Sequence, residues 1–252
     1  MAGMDELAGF VRQSDPDRFL CALFAPAEKR PALFALIALN HELARAREAA
    51  KTPMLALIRL QWWRDAITEA AEGKPPRRHE VAAPLHAAIT AGALDAGELA
   101  PLADAREIET EEEGMPGRAA FDSYLRGSAG GFAVAAGRLL GAPPALLPAL
   151  QSAGALQGLA GVLRNAPVLA AEGRSLLPPG AEPRALAAEG LAALPAARAA
   201  LRGLPRGAIA AALPLVLARR DLARLARGEA VPAPRGLGDR LAVVAAGLAG
   251  RI

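Results

Sequence analysis

Proline and glycine cut this chain into helix-length pieces, and the residues between the cuts are those that helices prefer. There are 21 prolines and 25 glycines in 252 residues. Hydrophobic residues make up 53% of the chain and aromatics only 4%, so the core must be built mainly from Ala, Leu and Val. Ala and Leu favour helix, while the aromatic and β-branched residues that favour strands are scarce. The sequence therefore predicts an all-α protein, and no segment reads as a strand.

The punctuation places the helices. Ser14-Asp15 before Pro16 opens one that runs to about Phe24. Pro26 or Pro31 opens the next, to about Ala50, and Thr52-Pro53 a third that ends near Gly73. Lys74 to Arg78 is a loop, and helices over about 80–92 and 95–113 precede a break at Gly114–Gly117. Long segments at 118–140 and 145–166 follow, then a loop from Gly173 to Pro183 and helices near 184–203, 207–228 and 237–250. That is nine or ten helices with short connections, which makes neighbours antiparallel. The expected organisation is an N-terminal segment (1–14), one domain (15–228), and a C-terminal helix (229–252) packed on the same domain.

Charge excludes some functions. There are 29 basic and 26 acidic residues, and no dense Lys/Arg block interleaved with aromatics, so nucleic acid is not an expected partner. The run Glu109 to Glu113 reads as a solvated helix end. The single cysteine, Cys21, lies among Phe19, Leu20 and Leu23 and reads as a buried structural thiol. Asp5 and Glu6 come early with no apolar run behind them, which is not a secretory pattern. The longest uncharged run, Leu139 to Leu163, carries Pro143, Pro144 and Pro148. It reads as a loop followed by a core helix rather than a membrane span. The expected location is cytoplasmic, with peripheral contact at the inner membrane.

On a helix from Pro31 to Ala50, the residues Phe34, Ile37, His41, Ala44 and Glu48 share a face that begins apolar and turns polar. This is the pattern of a core helix whose end reaches a cavity. Trp62 and Trp63 are about 100° apart on the next helix, so both can touch the core boundary. His41, His79 and His86 lack metal-ligand spacing. No Ser/His/Asp order, Gly-rich phosphate loop or Cys motif stands out. Gly127, Gly130 and Gly131 read as tight helix packing.

Several stretches together resemble one family. They are Leu33 to Asn40, the run Leu60-Gln61-Trp62-Trp63-Arg64-Asp65, Phe121 to Leu125 with Gly127-Ser128-Ala129-Gly130, and Leu163-Arg164 followed by Gly173-Arg174 and Leu177-Pro178. In order and spacing they resemble the squalene/phytoene synthase family. The resemblance implies an isoprenoid-synthase-like bundle around an apolar cavity. Family enzymes join two isoprenyl diphosphates, and Mg²⁺ held by paired aspartates neutralises the leaving diphosphate.

Those aspartate positions fall on other residues here. The first pair falls on Ala44 and Glu48, the second on Asn165 and Leu169, with Pro167 between the latter expected to end or kink its helix. Glu48 alone keeps a carboxylate. Asp104, Glu107, Glu109, Asp122 and Glu42 are the carboxylates that could substitute. The segment Asn40-His41-Glu42-Leu43-Ala44-Arg45-Ala46-Arg47-Glu48, the run Leu60 to Asp65 and Leu163-Arg164-Asn165-Ala166-Pro167 resemble a divergent branch that includes the mitochondrial assembly factor for respiratory complex I.

This resemblance implies a non-catalytic binding or assembly role, with complex I subunits or assembly factors as partners and an isoprenoid or lipid as ligand. No catalytic residue, metal or other cofactor is expected. The alternative is an active Mg²⁺-dependent prenyltransferase. The candidate ligand-binding residues are Asn40, His41, Arg45, Arg47, Glu48, Arg64, Tyr124, Arg164, Asn165 and Arg174. Arg45, Arg47, Arg64 and Arg164 either line a cavity mouth, where guanidinium forks match an anionic head group, or reach water and pair with Glu48 and Asp65.

Overall fold

The computed structural model describes residues 2–231 and 234–252, with side chains from residue 5 onward. Twelve α-helices run through it, and no strand occurs among the described residues. The helices are α1 (Ala2–Ser14), α2 (Pro16–Ala22), α3 (Arg30–Ala44), α4 (Pro53–Ala71), α5 (Ala82–Thr90), α6 (Ala96–Asp104), α7 (Arg118–Leu125), α8 (Gly131–Leu140), α9 (Leu147–Ala171), α10 (Pro183–Ala200), α11 (Pro214–Ala226) and α12 (Leu237–Ala249).

Local chemistry sets many of the starts. The Asp15 carboxylate accepts from the Arg18 backbone N–H, and the Thr52 hydroxyl accepts from Leu55, each with proline at the first helical position. These are side-chain N-caps. Helix α8 stops at Gly141, whose φ of +85° is the left-handed cap a glycine supplies most cheaply.

α3 is the central rod, with every residue from Ala32 to Asn40 buried. It packs on α1, α5 and α8, while α9 packs on α7, α8, α10 and α11. One core cluster draws on α1 through α11, and a smaller one joins Cys21, Ile209, Leu213, Leu217 and Val243, tying α12 to α2 and α11. Cys21 is buried as expected, and burial pushes its thiol pKa well above the ordinary value.

Between α7 and α8 the chain makes one π-helical turn, Arg126–Gly130. It falls on the small residues that the sequence marks for close packing. A Cβ on Gly127 would sit 2.8 Å from Ala105 Cβ, one on Gly130 2.9 Å from the Gln151 carbonyl oxygen, and one on Gly131 2.8 Å from Leu102. Gly154 on α9 is tighter still, 2.4 Å from the Ala129 carbonyl oxygen. Gly130 and Gly154 let α9 lie against the bend, while Gly127 and Gly131 make room for Ala105 and for Leu102 of α6.

Some boundaries differ from the sequence reading. Residues 2–14 form a helix. The segment 95–113 is α6 followed by a 3₁₀ turn, Glu107–Thr110. α3 ends at Ala44, and residues 45–49 continue only as turns, pulled inward by buried Ala46 and Ala50. Glu48 is therefore exposed on a turn and does not extend the face of Phe34, Ile37 and His41. Pro167 does not end α9, which runs on to Ala171. Proline removes one intrahelical bond, and the burial of Leu159, Leu163 and Leu169 on either side holds the helix past it.

Candidate functional site

The ends of α3 and α9 and the turn after α3 carry the four positions to which the sequence resemblance assigns paired carboxylates. Ala44 is half-buried at the last turn of α3 and Glu48 is exposed beyond it. On α9, Asn165 is exposed and Leu169 is buried. No group of three or more His, Cys, Asp and Glu side chains able to hold a metal ion occurs among the described residues.

What lies inside is an ionic network that the sequence reading does not anticipate. Arg106, just after α6, donates to Glu109 Oε1 at 2.6 Å and to Asn40 Oδ1 at 3.5 Å. The Tyr124 hydroxyl donates to the same Glu109 oxygen at 2.7 Å. Asn40, Glu109 and Tyr124 are buried. Glu109 is thus not part of a solvated helix end, and only Glu111, Glu112 and Glu113 of that run are exposed.

Burial lowers the proton affinity of Arg106, but the Glu109 carboxylate more than reverses this, so the guanidinium stays charged. Burial, then Glu109, raises the Tyr124 pKa, so its hydroxyl keeps its proton. A local signal exists in the sequence. Arg106 and Glu109 stand three apart, a spacing that pairs charges within a helical turn.

A second insertion comes from α2. Arg18 donates to Asp15 Oδ2 at 2.6 Å and to Gln157 on α9 at 2.9 Å, and its guanidinium lies 4.6 Å from the Phe132 ring centroid. It joins α2 to α8 and α9 by hydrogen bonds and a cation–π contact. Phe19 stacks on Phe34 with 5.5 Å between centroids, and Phe10 meets His41 edge-on at 5.6 Å. Burial lowers the His41 pKa, which keeps the ring neutral at pH 7.

The candidate arginines do not converge. Arg45 is exposed and lies 3.6 Å from Glu42, not beside Glu48. Arg64 pairs with Asp104 and Glu107 rather than Asp65, which commits two of the substitute carboxylates. Arg164 approaches Asp17 at 3.5 Å and Asp221 at 3.9 Å, joining a lock in which Arg235 bonds both aspartates. Asp122 pairs with Arg118.

Arg47 and Arg174 alone share a cleft, of about 630 Å³, between the 108–115 and 173–181 segments. Its other charged lining is Glu109, Glu111, Glu112 and Glu113, so one wall is basic and the other acidic. The apolar space lies elsewhere. It is a groove of about 490 Å³ between α7, α9 and α10, lined by Phe121, Leu125, Leu156, Leu159 and Leu186 among others.

The fold is an all-α bundle of the isoprenoid-synthase type. Over nearly its whole length it superposes on a dehydrosqualene synthase (TM-score 0.78, 13% identity, 97% of this chain and 96% of that one). It also superposes on the squalene synthase HpnC from Alicyclobacillus acidocaldarius (TM-score 0.74, 15% identity, 90% and 94%). Residues 11–179 match the squalene/phytoene synthase family model, and the chain belongs to that family.

Among curated proteins it is similar to NADH dehydrogenase (ubiquinone) complex I, assembly factor 6. Against the Homo sapiens and Bos taurus proteins it is 29% identical over 114 residues, 45% of this chain and 34% of each relative. Against the Drosophila melanogaster homolog it is 33% identical over 78 residues, 31% of this chain and 23% of the relative. The matched region spans about a third of the length of the mammalian relatives.

Proposed function

We propose that this chain is a non-catalytic member of the squalene/phytoene synthase family that acts by binding, as an assembly factor for respiratory complex I. The observation that carries the reading is the fate of the four carboxylate positions. Ala44 and Leu169 have no metal-binding atom, Asn165 is neutral, and Glu48 sits on a turn beyond its helix. A Mg²⁺ ion asks for several hard oxygen ligands in octahedral array. Of the carboxylates that could substitute, Asp104, Glu107 and Glu109 are already bonded to arginines.

The similarity to complex I assembly factor 6 supports a partner among the subunits or assembly factors of that complex. The protein would work at the cytoplasmic face of the inner membrane, without a metal or other cofactor. Any isoprenoid or lipid it holds would place its anionic end at Arg47 and Arg174, the two candidate arginines that share a cleft.

Two measurements test this. Tagged full-length protein purified from membranes of its native host is expected to bring down complex I subunits, and their absence would remove the partner. Farnesyl and geranylgeranyl diphosphate, assayed with Mg²⁺ and Mn²⁺, are expected to release no diphosphate. Metal-dependent release would establish the prenyltransferase reading instead.

A further inference from the structure

Residues 198–252 carry ten arginines, no lysine and three acidic residues. The structure gathers seven of these arginines around one cavity of about 860 Å³ between α10, α11 and the segment after α12. No Asp or Glu lines it, and its apolar wall is Leu191, Leu194, Ala223 and Ile252. Arg198 stands in the last turn of α10 and Arg202 in the turn that follows it, while Arg220 and Arg224 stand four apart on one face of α11.

We propose that this cavity is a binding site for a phosphate-bearing anion, separate from the Arg47/Arg174 cleft. Arg220 and Arg224 bond to Asp239, and Arg227 to Glu229. Arg198 donates to the Ile252 carbonyl oxygen. These bonds fix one side of the cavity. Arg202, Arg219 and Arg251 are exposed and have no carboxylate within 4.0 Å among the described residues. Three free guanidinium groups around one concavity repel one another, and an anion there relieves all three. Their planar forks match phosphate oxygens, and a concave wall concentrates their field. The volume is that of a ligand-sized site rather than one for a bare ion, and the leucines offer an apolar surface for the rest of the molecule.

A free diphosphate and a phospholipid head group share this chemistry. The adjoining helix bears on which one binds. α12 turns Asp239, Val243 and Gly247 inward and leaves Leu237, Leu241 and Leu248 exposed on the opposite face. Such a face beside unpaired arginines suits an anionic bilayer.

The test uses the full chain at low salt with inorganic pyrophosphate, and with phosphatidylcholine vesicles with and without phosphatidylglycerol. Titration calorimetry reads the first and vesicle flotation the second. Wild type is expected to bind pyrophosphate, phosphatidylglycerol vesicles or both, but not pure phosphatidylcholine. Arg202→Gln/Arg219→Gln/Arg251→Gln is expected to weaken that binding by about tenfold or more, from modest contributions of three exposed charges. Arg12→Gln/Arg59→Gln, which removes two exposed arginines that line neither this cavity nor the Arg47/Arg174 cleft, is expected to leave it unchanged, which separates this site from surface charge at large.

If the triple variant unfolds, Arg251→Gln alone is expected to weaken binding by about threefold, and unchanged binding in that single variant counts equally against the site. Loss of vesicle binding but not pyrophosphate binding in Leu241→Asp/Leu248→Asp identifies the source as lipid. Retention of both in that variant identifies a soluble ligand. Wild type binding neither probe, or arginine variants binding as well as wild type, overturns the proposal.

Discussion

The Tyr124 hydroxyl donates to the Glu109 carboxylate at 2.7 Å inside the bundle, on the oxygen that also receives Arg106. The three side chains hold the 3₁₀ turn after α6 against α7. Glu109→Gln leaves a buried guanidinium without its counter-charge and is expected to cost about 3–5 kcal/mol. Tyr124→Phe removes one hydrogen bond to a charged group and is expected to cost roughly 1.5–3 kcal/mol. Urea unfolding followed by circular dichroism measures both. If Glu109→Gln were the milder change, the network would not be held by charge.

The Asp239 carboxylate anchors α12 to α11 through Arg220 and Arg224. Burial alone would raise its pKa, and the two arginines reverse this, so it lies below the ordinary 3.8. A carboxyl depressed on folding adds stability that is complete above its unfolded pKa and is lost as pH falls through the folded one. Asp239→Asn is expected to be about 2 kcal/mol less stable than wild type at pH 7. The gap should stay constant down to about pH 5 and close below about pH 4. A gap that widens on acidification would contradict the assignment.

Two glycines of α9 should respond oppositely to the same substitution. Gly154→Ala drives a methyl to 2.4 Å from the Ala129 carbonyl oxygen and 2.7 Å from Ala133 Cβ. Backbone cannot swing aside as a long side chain can, so the expected loss is about 1–3 kcal/mol. Gly161→Ala meets nothing within 4 Å and is expected to gain about 0.4–1 kcal/mol by restricting the unfolded chain. Melting temperatures of the two variants should move in opposite directions.

Cys21 is buried and its thiol is held protonated. A disulfide reagent attacks only the thiolate. In native protein at pH 8 the reaction is expected to proceed only as fast as the structure opens, and to finish promptly in denaturant. Fast labelling of the folded protein would show that the Cys21, Leu213 and Val243 cluster is not closed.

Much of the fold is legible because helix punctuation is local. Ser14 to Pro16, Thr52-Pro53 and Gly173 to Pro183 mark true boundaries, since caps and prolines act on neighbouring residues. The same punctuation misses α1 and carries α3 six residues too far. The apolar period of α3 continues through Ala46 and Ala50, which are buried from turns rather than helix. Periodicity records burial, and a turn can bury an alanine as well as a helix can.

The site is legible in part. Asn40 and Tyr124 stand out in the sequence and do meet through Arg106 and Glu109. Glu109 reads as solvent-facing because it heads an acidic run, and within that run nothing tells its first glutamate from the next three; only Arg106, three residues before it, does. The Arg18 bond to Gln157 and the Arg235 bonds to Asp17 and Asp221 carry no local signal, since these partners lie far along the chain.

By itself the sequence determined the all-α class and the family, because each is a matter of residue type at a position. Only the tertiary structure decided where the charges are used. Arg164 went into a lock with Asp17 and Asp221, Arg64 to Asp104 and Glu107, and a row of unpaired arginines to a cavity between α10 and α11. An ion pair depends on distances between side chains remote in sequence, and only packing the helices sets those distances.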